Sequence, residues 1–334
     1  MTDEDKKMKK YIPGLLLLLV ISIIAIFISG FLPEYVGSVF IAVLIGILIN
    51  NTVDLNKAIF GPGISLGLKK ILKIAIVLLG GTISLQKLAT VGARGLFVIL
   101  VIIGLAFILT FILGRILNIS LKRKILIAAG LSICGNTAVI TTAPLIEAED
   151  RDIFTAVSIV TLFGVLAVFL YPFIGMAAGI SDTVFGAWAG TAINDTSQVV
   201  AAGFIFSEEA GRIAAMIKLA RNVLMAPVIL IVGYFYGKRQ KQKKEKINIL
   251  EIFPSFILGF LFLIILNSLG IITENMEAVF DQTSQFLILL ALAGIGLEVK
   301  FKDLKKIGVK PFIVGFSVAA SMAAVSILIS STIF

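Results

Sequence analysis

The stretch WAGTAINDTSQVVAAG, residues 188–203, lies within an apolar segment, 183–206, that is long enough to cross a bilayer. Asp195 is the only charged residue of that segment. Four other polar side chains surround it near the midpoint: Asn194, Thr196, Ser197 and Gln198. A carboxylate at this depth is costly unless it is neutralised, paired or hydrated, so the segment predicts a functional site.

The composition of the whole chain predicts a membrane protein that crosses the bilayer many times. Hydrophobic residues make up 59% and charged residues 15% of the 334 residues, against roughly 45–50% and about 25% in soluble domains. Eleven apolar segments are candidate spans: 11–32, 36–50, 69–85, 93–117, 125–146, 153–178, 183–206, 210–237, 251–270, 278–298 and 311–333. We therefore predict an all-α polytopic protein forming a single transmembrane domain over residues 1–334.

Basic residues are distributed unevenly between the two sides of these spans. Of the 29 Lys and Arg residues, 23 fall at or beyond span ends on the side of the N-terminus and four on the other side, while Lys218 and Arg221 lie well inside the eighth span. The positive-inside rule then places the N-terminus and the basic loop 238–250 in the cytoplasm and the C-terminus outside. The net charge of +9 reflects this topology, and no nucleic-acid partner is expected.

Two residue types are scarce enough to limit the chemistry. The chain contains no histidine, which excludes histidine-based catalysis, histidine–metal sites and histidine proton relays. Cys134 is the lone cysteine, so an internal disulfide is excluded, and its apolar setting is typical of a packing residue. We expect no enzymatic activity, no cofactor and no metal site.

Two segments carry the marks of interrupted helices. AAGLSICGNTAV (128–139) aligns with WAGTAINDTSQV (188–199), and each has small residues followed by a polar cluster, near 134–137 and 194–198 respectively. Irregular backbone at membrane depth is tolerated only where protein buries it or where it lines a wet cavity. Each segment is either a broken crossing helix or a re-entrant hairpin. The basic loops fit both topologies, and we favour crossing helices.

A second internal similarity suggests an inverted repeat. LLGGTISLQKLATVGARGLFV (78–98) aligns without gaps to GIGLEVKFKDLKKIGVKPFIV (294–314). Under the crossing-helix topology seven spans separate the copies, so they would point in opposite directions. Such repeats are common in secondary transporters.

The predicted site combines both polar clusters with a buried cation. The proposed substrate-binding residues are Asn136, Thr137, Asn194, Thr196, Ser197, Gln198 and Arg221. Asp195 is the proposed carrier of the coupling ion. Arg221 and Lys218 share one face of the eighth span, and Arg221 is the predicted counter-charge for an anion. A structural Arg221–Asp195 ion pair and a simple packing role for Asn136 and Thr137 remain alternatives.

Four stretches together carry a resemblance to a known family: SICGNTAVITTAPLIEA (132–148), AGTAINDTSQVVAAG (189–203), KLARNVLMAP (218–227) and GLEVKFKDLKKIGVKP (296–311). In these stretches the chain resembles the YeiH-type sulfate exporter family of bacterial inner-membrane proteins. The family is grouped with cation/proton antiporters and bile-acid transporters, which implies an inverted-repeat fold with broken helices near the midplane. The family pattern has a histidine where this chain has Asn194, so histidine-based proton coupling is not implied.

These observations predict a secondary active transporter of a small anion, with sulfate or a small organic sulfonate or carboxylate as the substrate class. Transport would be by alternating access coupled to H⁺ or Na⁺ in the bacterial cytoplasmic membrane. A cation/proton antiporter, an anion channel and a non-transporting membrane scaffold are the alternatives. Beyond the substrate, the coupling ion and the lipid bilayer, a homodimer is compatible with the sequence.

Overall fold

The computed structural model describes residues 9–33, 37–240, 254–299 and 308–334, and secondary structure in these ranges is helical. Six helices there are long and apolar enough to cross a membrane: Ile12–Ser29, Leu85–Ile116, Asp150–Ala177, Glu208–Lys238, Glu274–Glu298 and Val309–Ile333. The predicted all-α membrane fold is confirmed. The basic loop 238–250 and the second repeat copy fall partly outside the described ranges.

We number the α-helices in chain order. They are α1 (Ile12–Ser29), α2 (Ser38–Thr52), α3 (Lys57–Leu66), α4 (Leu72–Leu79), α5 (Leu85–Ile116), α6 (Leu121–Ser132), α7 (Asn136–Leu145), α8 (Asp150–Ala177), α9 (Asp182–Ala192), α10 (Thr196–Phe206), α11 (Glu208–Val223), α12 (Met225–Gln240), α13 (Phe256–Ser268), α14 (Glu274–Glu298) and α15 (Val309–Ile333). The chain divides into two compact units, Met1–Leu88 with Ser255–Phe301, and Ala89–Pro254 with Lys302–Phe334. The prediction of a single domain stays a prediction.

The first unit is held together by closely packed helices. A Cβ placed on Gly46 of α2 would lie only 2.7 Å from the Ala293 carbonyl oxygen of α14, so only glycine allows this approach. At the ends of the same two helices, the Asn50 side-chain amide donates to the Val299 carbonyl at 3.0 Å. In lipid the hydrophobic effect does not drive helices together, and small residues at helix crossings allow the close van der Waals packing that does.

The third predicted span, 69–85, begins later than the helix in the structure. Helical backbone runs from Lys57 through α3, a π-helical turn at Gly67–Ile71, and α4. Asn56 caps the N-terminus of this helical segment, because its side chain accepts a hydrogen bond from the Ala58 amide at 3.0 Å. The sequence-based boundary at residue 69 is therefore too late.

In the second unit, α6 and α7 fold back on each other. Lys122, at the start of α6, donates to the carbonyl oxygen of Glu147, just after α7, at 2.5 Å. Arg123 forms a salt bridge with Asp152 at 2.7 Å. The beginning and end of this segment therefore lie together, and we call Leu121–Leu145 the first hairpin.

Helices α9 and α10 form a second hairpin, Asp182–Phe206. Its two ends meet, because the Ser207 hydroxyl donates to the Asp182 carboxylate at 2.7 Å. Cβ atoms on Gly186 of α9 and Gly203 of α10 would lie 2.8 Å and 3.2 Å from the same carbonyl oxygen, that of Ala210 in α11. The two halves thus lie side by side at the same level.

The two hairpins enter the second unit from opposite ends. The bases of the first and second hairpins lie at the N-terminal and C-terminal ends of α8, a 28-residue helix about 42 Å long. The favoured prediction of crossing helices is therefore wrong, and the re-entrant alternative describes the structure. Sequence patterns located the breaks but could not reveal the contacts at the hairpin bases. Of the eleven apolar segments, nine remain as candidate crossings.

Cysteine accessibility should report this arrangement. In a Cys134→Ala background, Glu149→Cys at the base of the first hairpin should react with a membrane-impermeant thiol reagent from the same side as Arg115→Cys. Glu208→Cys, at the base of the second hairpin, should react only from the opposite side. All three positions are exposed. Reaction of Glu149→Cys from the side that labels Glu208→Cys would restore the crossing-helix model.

Candidate functional site at the hairpin tips

The two tips meet around two cations on α11. Lys218 and Arg221 are 0% exposed in the structure. Helix α11 begins at a Ser207 cap, with Glu208 and Glu209 in its first turn, an arrangement that suits a helix N-terminus. Glycines of α9 and α10 let α11 approach both halves of the second hairpin closely. The sequence therefore builds a tightly packed helix that carries its two cations to the hairpin tips.

Arg221 is saturated by oxygen atoms of both hairpins. Its Nε donates to the Ser132 carbonyl at 2.8 Å, and its Nη2 donates to the Leu131 carbonyl at 2.6 Å. The remaining bonds go to the second hairpin: Nη1 to the Thr191 and Ile193 carbonyls at 2.8 and 2.9 Å, and Nη2 to Asn194 Oδ1 at 3.4 Å. These five bonds match the five N–H donors of a guanidinium.

Lys218 completes the same connection. Its ammonium donates to the Ile133 carbonyl of the first tip at 2.7 Å, and to the Ile193 and Asn194 carbonyls of the second tip. Three acceptors match the three hydrogens of a charged ammonium, since a neutral amine has only two. The hydrogen bonds of both side chains thus fit their charged forms.

The carbonyls that accept these bonds come from the ends of two half-helices. α6 ends at Ser132 and α9 ends at Ala192, and the last carbonyls of a helix have no partner within it. Each such end also carries about half a unit of negative charge from the helix dipole. The cations thus stabilise both tips at once. The alternative of a structural Arg221–Asp195 ion pair is not observed among the described residues.

Asp195 serves its own helix instead. Its Oδ1 accepts hydrogen bonds from the backbone amide of Ser197 at 2.9 Å and from the Ser197 hydroxyl at 2.6 Å, which caps α10. The residue is half-buried. The other carboxylate oxygen, Oδ2, accepts no hydrogen bond within the described ranges, so it is free to meet a cation or a proton.

The first tip differs from the second because a glycine stands at the capping position of its helix. Gly135 precedes α7 with φ +67°, a backbone conformation that favours glycine, and it offers no side-chain acceptor. The Ala138 amide in the same turn already has a hydrogen bond to Cys134. Thr137 is exposed and Asn136 is half-buried. A Cβ on Gly135 would lie 3.4 Å from the Asp195 Cα, so the two tips touch. The first amides of α7 are therefore suited to an anion.

Thr161, in the middle of α8, joins the two hairpins. Its hydroxyl donates to Asn136 Oδ1 at 3.3 Å and accepts from Asn136 Nδ2 at 3.1 Å. Its carbonyl accepts from Gln198 Nε2 at 3.4 Å. The sequence analysis did not select Thr161, although a threonine at the middle of an apolar span is a weak signal of this kind.

Asn222 was also missed, although it follows Arg221 directly. Its Nδ2 donates to the Thr196 hydroxyl at 3.2 Å. Its Oδ1 is buried without a hydrogen-bond partner, in a residue that is 4% exposed. Buried acceptors without partners are rare in folded proteins, and a bound water or ion is one explanation for such an atom.

The structure brings the predicted residues of both clusters to the tips, in different roles. Asn194 contacts the two cations, Thr196 contacts Asn222, and Gln198 is directed toward α8. Asn136 and Thr137 lie at the uncapped end of α7. Arg221 lies behind the tips with its donors occupied, so its effect on an anion would be through charge rather than through contact.

Comparison with known proteins gives the family. The model for "Conserved hypothetical protein 698" matches residues 13–315. The chain belongs to this family. Relatives called UPF0324 membrane proteins share 38% identity in Clostridium tetani, over 97% of this chain and 98% of the relative, and 32% in Nitratidesulfovibrio vulgaris, over 95% and 91%. A relative from Streptococcus agalactiae is 33% identical over 92% and 93%. The family members are thus similar along almost their full length.

The structural role of Arg221 can be tested by a double-mutant cycle. Arg221→Gln should lower the free energy of unfolding by about 2–4 kcal/mol, because several buried carbonyls lose their donors. Asp195→Asn should have a small effect, because asparagine also caps helices. If the two residues do not pair, the double mutant should show the sum of the single effects. Recovery of stability in the double mutant would demonstrate an Arg221–Asp195 ion pair.

Thr161 offers a second test of the tips. Thr161→Val keeps the shape of the side chain but leaves the Asn136 amide without its partner, which should cost about 1–3 kcal/mol. Thr161→Ser keeps the hydroxyl and should recover most of the loss. Equal stability of the valine and serine variants, measured by thermal unfolding in detergent, would show that this contact contributes nothing.

Proposed function

We propose that the chain is a secondary active transporter of a small anion, which binds at the tip of the first hairpin. The observation that carries this proposal is the pair of fully buried cations, Lys218 and Arg221, without a carboxylate partner among the described residues. Their carbonyl ligands are neutral, so the cluster keeps a positive charge in a region of low dielectric constant. An anion bound beside it relieves that cost.

The uncapped start of α7 is the proposed binding position. The first three amides of a helix have no intrahelical partner, and an anion is stabilised by them and by the positive helix end. In α10 the Asp195 carboxylate already occupies the corresponding position. The exposed Thr137 hydroxyl can add one more donor, while Asn194, Thr196, Ser197 and Gln198 shape the neighbouring tip.

Opposed hairpins whose tips meet at mid-depth support transport by alternating access. Each tip is reached from a different end of the unit, so a site between them can be presented to either side of the membrane. The inverted repeat, the cytoplasmic N-terminus and the external C-terminus belong to this proposal. The resemblance to sulfate exporters suggests an oxyanion such as sulfate, an organic sulfonate or a carboxylate.

Asp195 is the proposed site of the coupling ion, H⁺ or Na⁺. Within the described part of the chain, its Oδ2 and the Asn222 Oδ1 are oxygens without hydrogen-bond partners near one tip. This also favours a second candidate function, cation/proton antiport. An antiporter would exchange cations without an anion. A channel would conduct without exchange, and a scaffold would do neither.

Counterflow in proteoliposomes should separate these functions. Vesicles loaded with an unlabelled oxyanion should accumulate the labelled anion, and Thr137→Val should weaken anion binding roughly five- to tenfold by removing one hydrogen bond. Thr141→Val, one turn further along α7, is the matched control and should bind normally. Absence of saturable counterflow for oxyanions of all three classes would reject the anion-carrier proposal.

The coupling role of Asp195 has its own test. Asp195→Asn preserves the shape and the helix cap, so the protein should fold and still exchange anions across the membrane. It should lose any dependence of uptake on an imposed H⁺ or Na⁺ gradient. Gradient-driven uptake by the variant at the wild-type rate would show that Asp195 does not carry the coupling ion.

A further inference from the structure

We infer that the hairpin tips select a singly charged anion, and that Asp195 is the residue that sets this choice. The inference rests on the proposed function, because it specifies which anions the same site accepts. It follows from the charges that the fold brings together at the tips.

The formal charges in this cluster can be counted from the hydrogen bonds. Lys218 and Arg221 each contribute one positive charge in the charged forms that their donated bonds fit. Asp195 contributes one negative charge when ionised, and as such it accepts two bonds from Ser197. The sum is one positive charge, which a singly charged anion neutralises.

Helix dipoles do not alter this sum. Two helices, α6 and α9, end at the tips and bring about half a unit of negative charge each. Two others, α7 and α10, begin there and bring the opposite amount. The four contributions cancel, so the side-chain charges determine the balance.

The elements packed around Asp195 add no further charge at this level. Helix α11 contributes Lys218 and Arg221, and the first tip contributes the Cys134 thiol. Helix α8 has no Asp, Glu, Lys or Arg from Ile153 to Ala177, and the one charged residue of α15 is Lys310, in its first turn. Lys218, Arg221 and Asp195 are therefore the charged side chains that these elements bring to the tips.

A doubly charged anion would leave one uncompensated negative charge in this environment. The tips touch at Gly135 and Asp195, so an anion at the start of α7 lies near the carboxylate. Neutralising Asp195, either with bound H⁺ or Na⁺ or by substitution, raises the cluster to two positive charges. A doubly charged anion then neutralises the cluster. The charge of the preferred anion would therefore depend on whether Asp195 has bound H⁺ or Na⁺.

Two probes of similar shape and different charge test this inference. Methanesulfonate carries one negative charge and sulfate carries two, and both present tetrahedral sulfur with oxygen acceptors. The dissociation constants of both are measured on purified protein, without Na⁺ and at neutral pH, for the wild type, Asp195→Asn and Asp195→Ser. Both substituents cap helices, so a capped α10 is retained. Asp182→Asn is the control, because it makes the same charge change at the exposed base of the same hairpin.

The wild type and the control should prefer methanesulfonate, and both Asp195 variants should shift the preference toward sulfate by roughly tenfold or more, as one unit charge at this range requires. A wild type that prefers sulfate, or Asp195 variants that bind with unchanged preference, would overturn the inference while leaving an anion site intact. If the wild type binds neither probe, the proposed function itself fails for this class of anion. An equal shift in Asp182→Asn would assign the effect to overall charge and would also overturn the inference.

Discussion

The second unit depends on one interaction, the donation of hydrogen bonds from Lys218 and Arg221 to the carbonyl ends of two broken helices. The hairpin tips interrupt their helices and leave backbone carbonyl oxygens that water would hydrogen-bond at a protein surface. In an apolar region, a carbonyl oxygen without any hydrogen-bond partner costs several kcal/mol. Two cations on one helix face supply seven of their eight donated bonds to these backbone oxygens. Because both hairpins share the same donors, neither tip can move far without the other.

The two hairpins differ at the start of their second helices, and this difference bears on anion binding. The cations satisfy the carbonyl ends, while the amide ends that follow them are treated differently in the two hairpins. Asp195 caps the second, and Gly135 leaves the first open. A negative group already occupies one helix start and is missing from the other. The fold therefore provides one position for a mobile anion and one carboxylate that can respond to a cation.

The sequence predicted the breaks near 134–137 and 194–198 because Gly, Asn, Asp and Thr interrupt otherwise apolar runs. It also selected Arg221 as a buried cation of the eighth span. It could not predict that the segments are hairpins. That outcome depends on contacts between distant residues, such as Arg123 with Asp152, and the charges around residues 147–152 fit either side of the membrane. The carbonyl ligands of Arg221 were equally hidden, since backbone acceptors have no sequence pattern and a carboxylate was the more visible partner.

The most direct measurement of the central claim is the position of a bound anion. Anomalous diffraction from crystals grown with bromomethanesulfonate, a singly charged sulfonate with a bromine marker, would locate it. The account predicts a bromine peak at the first hairpin tip, with the sulfonate within hydrogen-bonding distance of the amides of Asn136 and Thr137 and close to the Thr137 hydroxyl. A sulfonate bound only elsewhere, with the start of α7 occupied by protein atoms or water at saturating concentration, would contradict it.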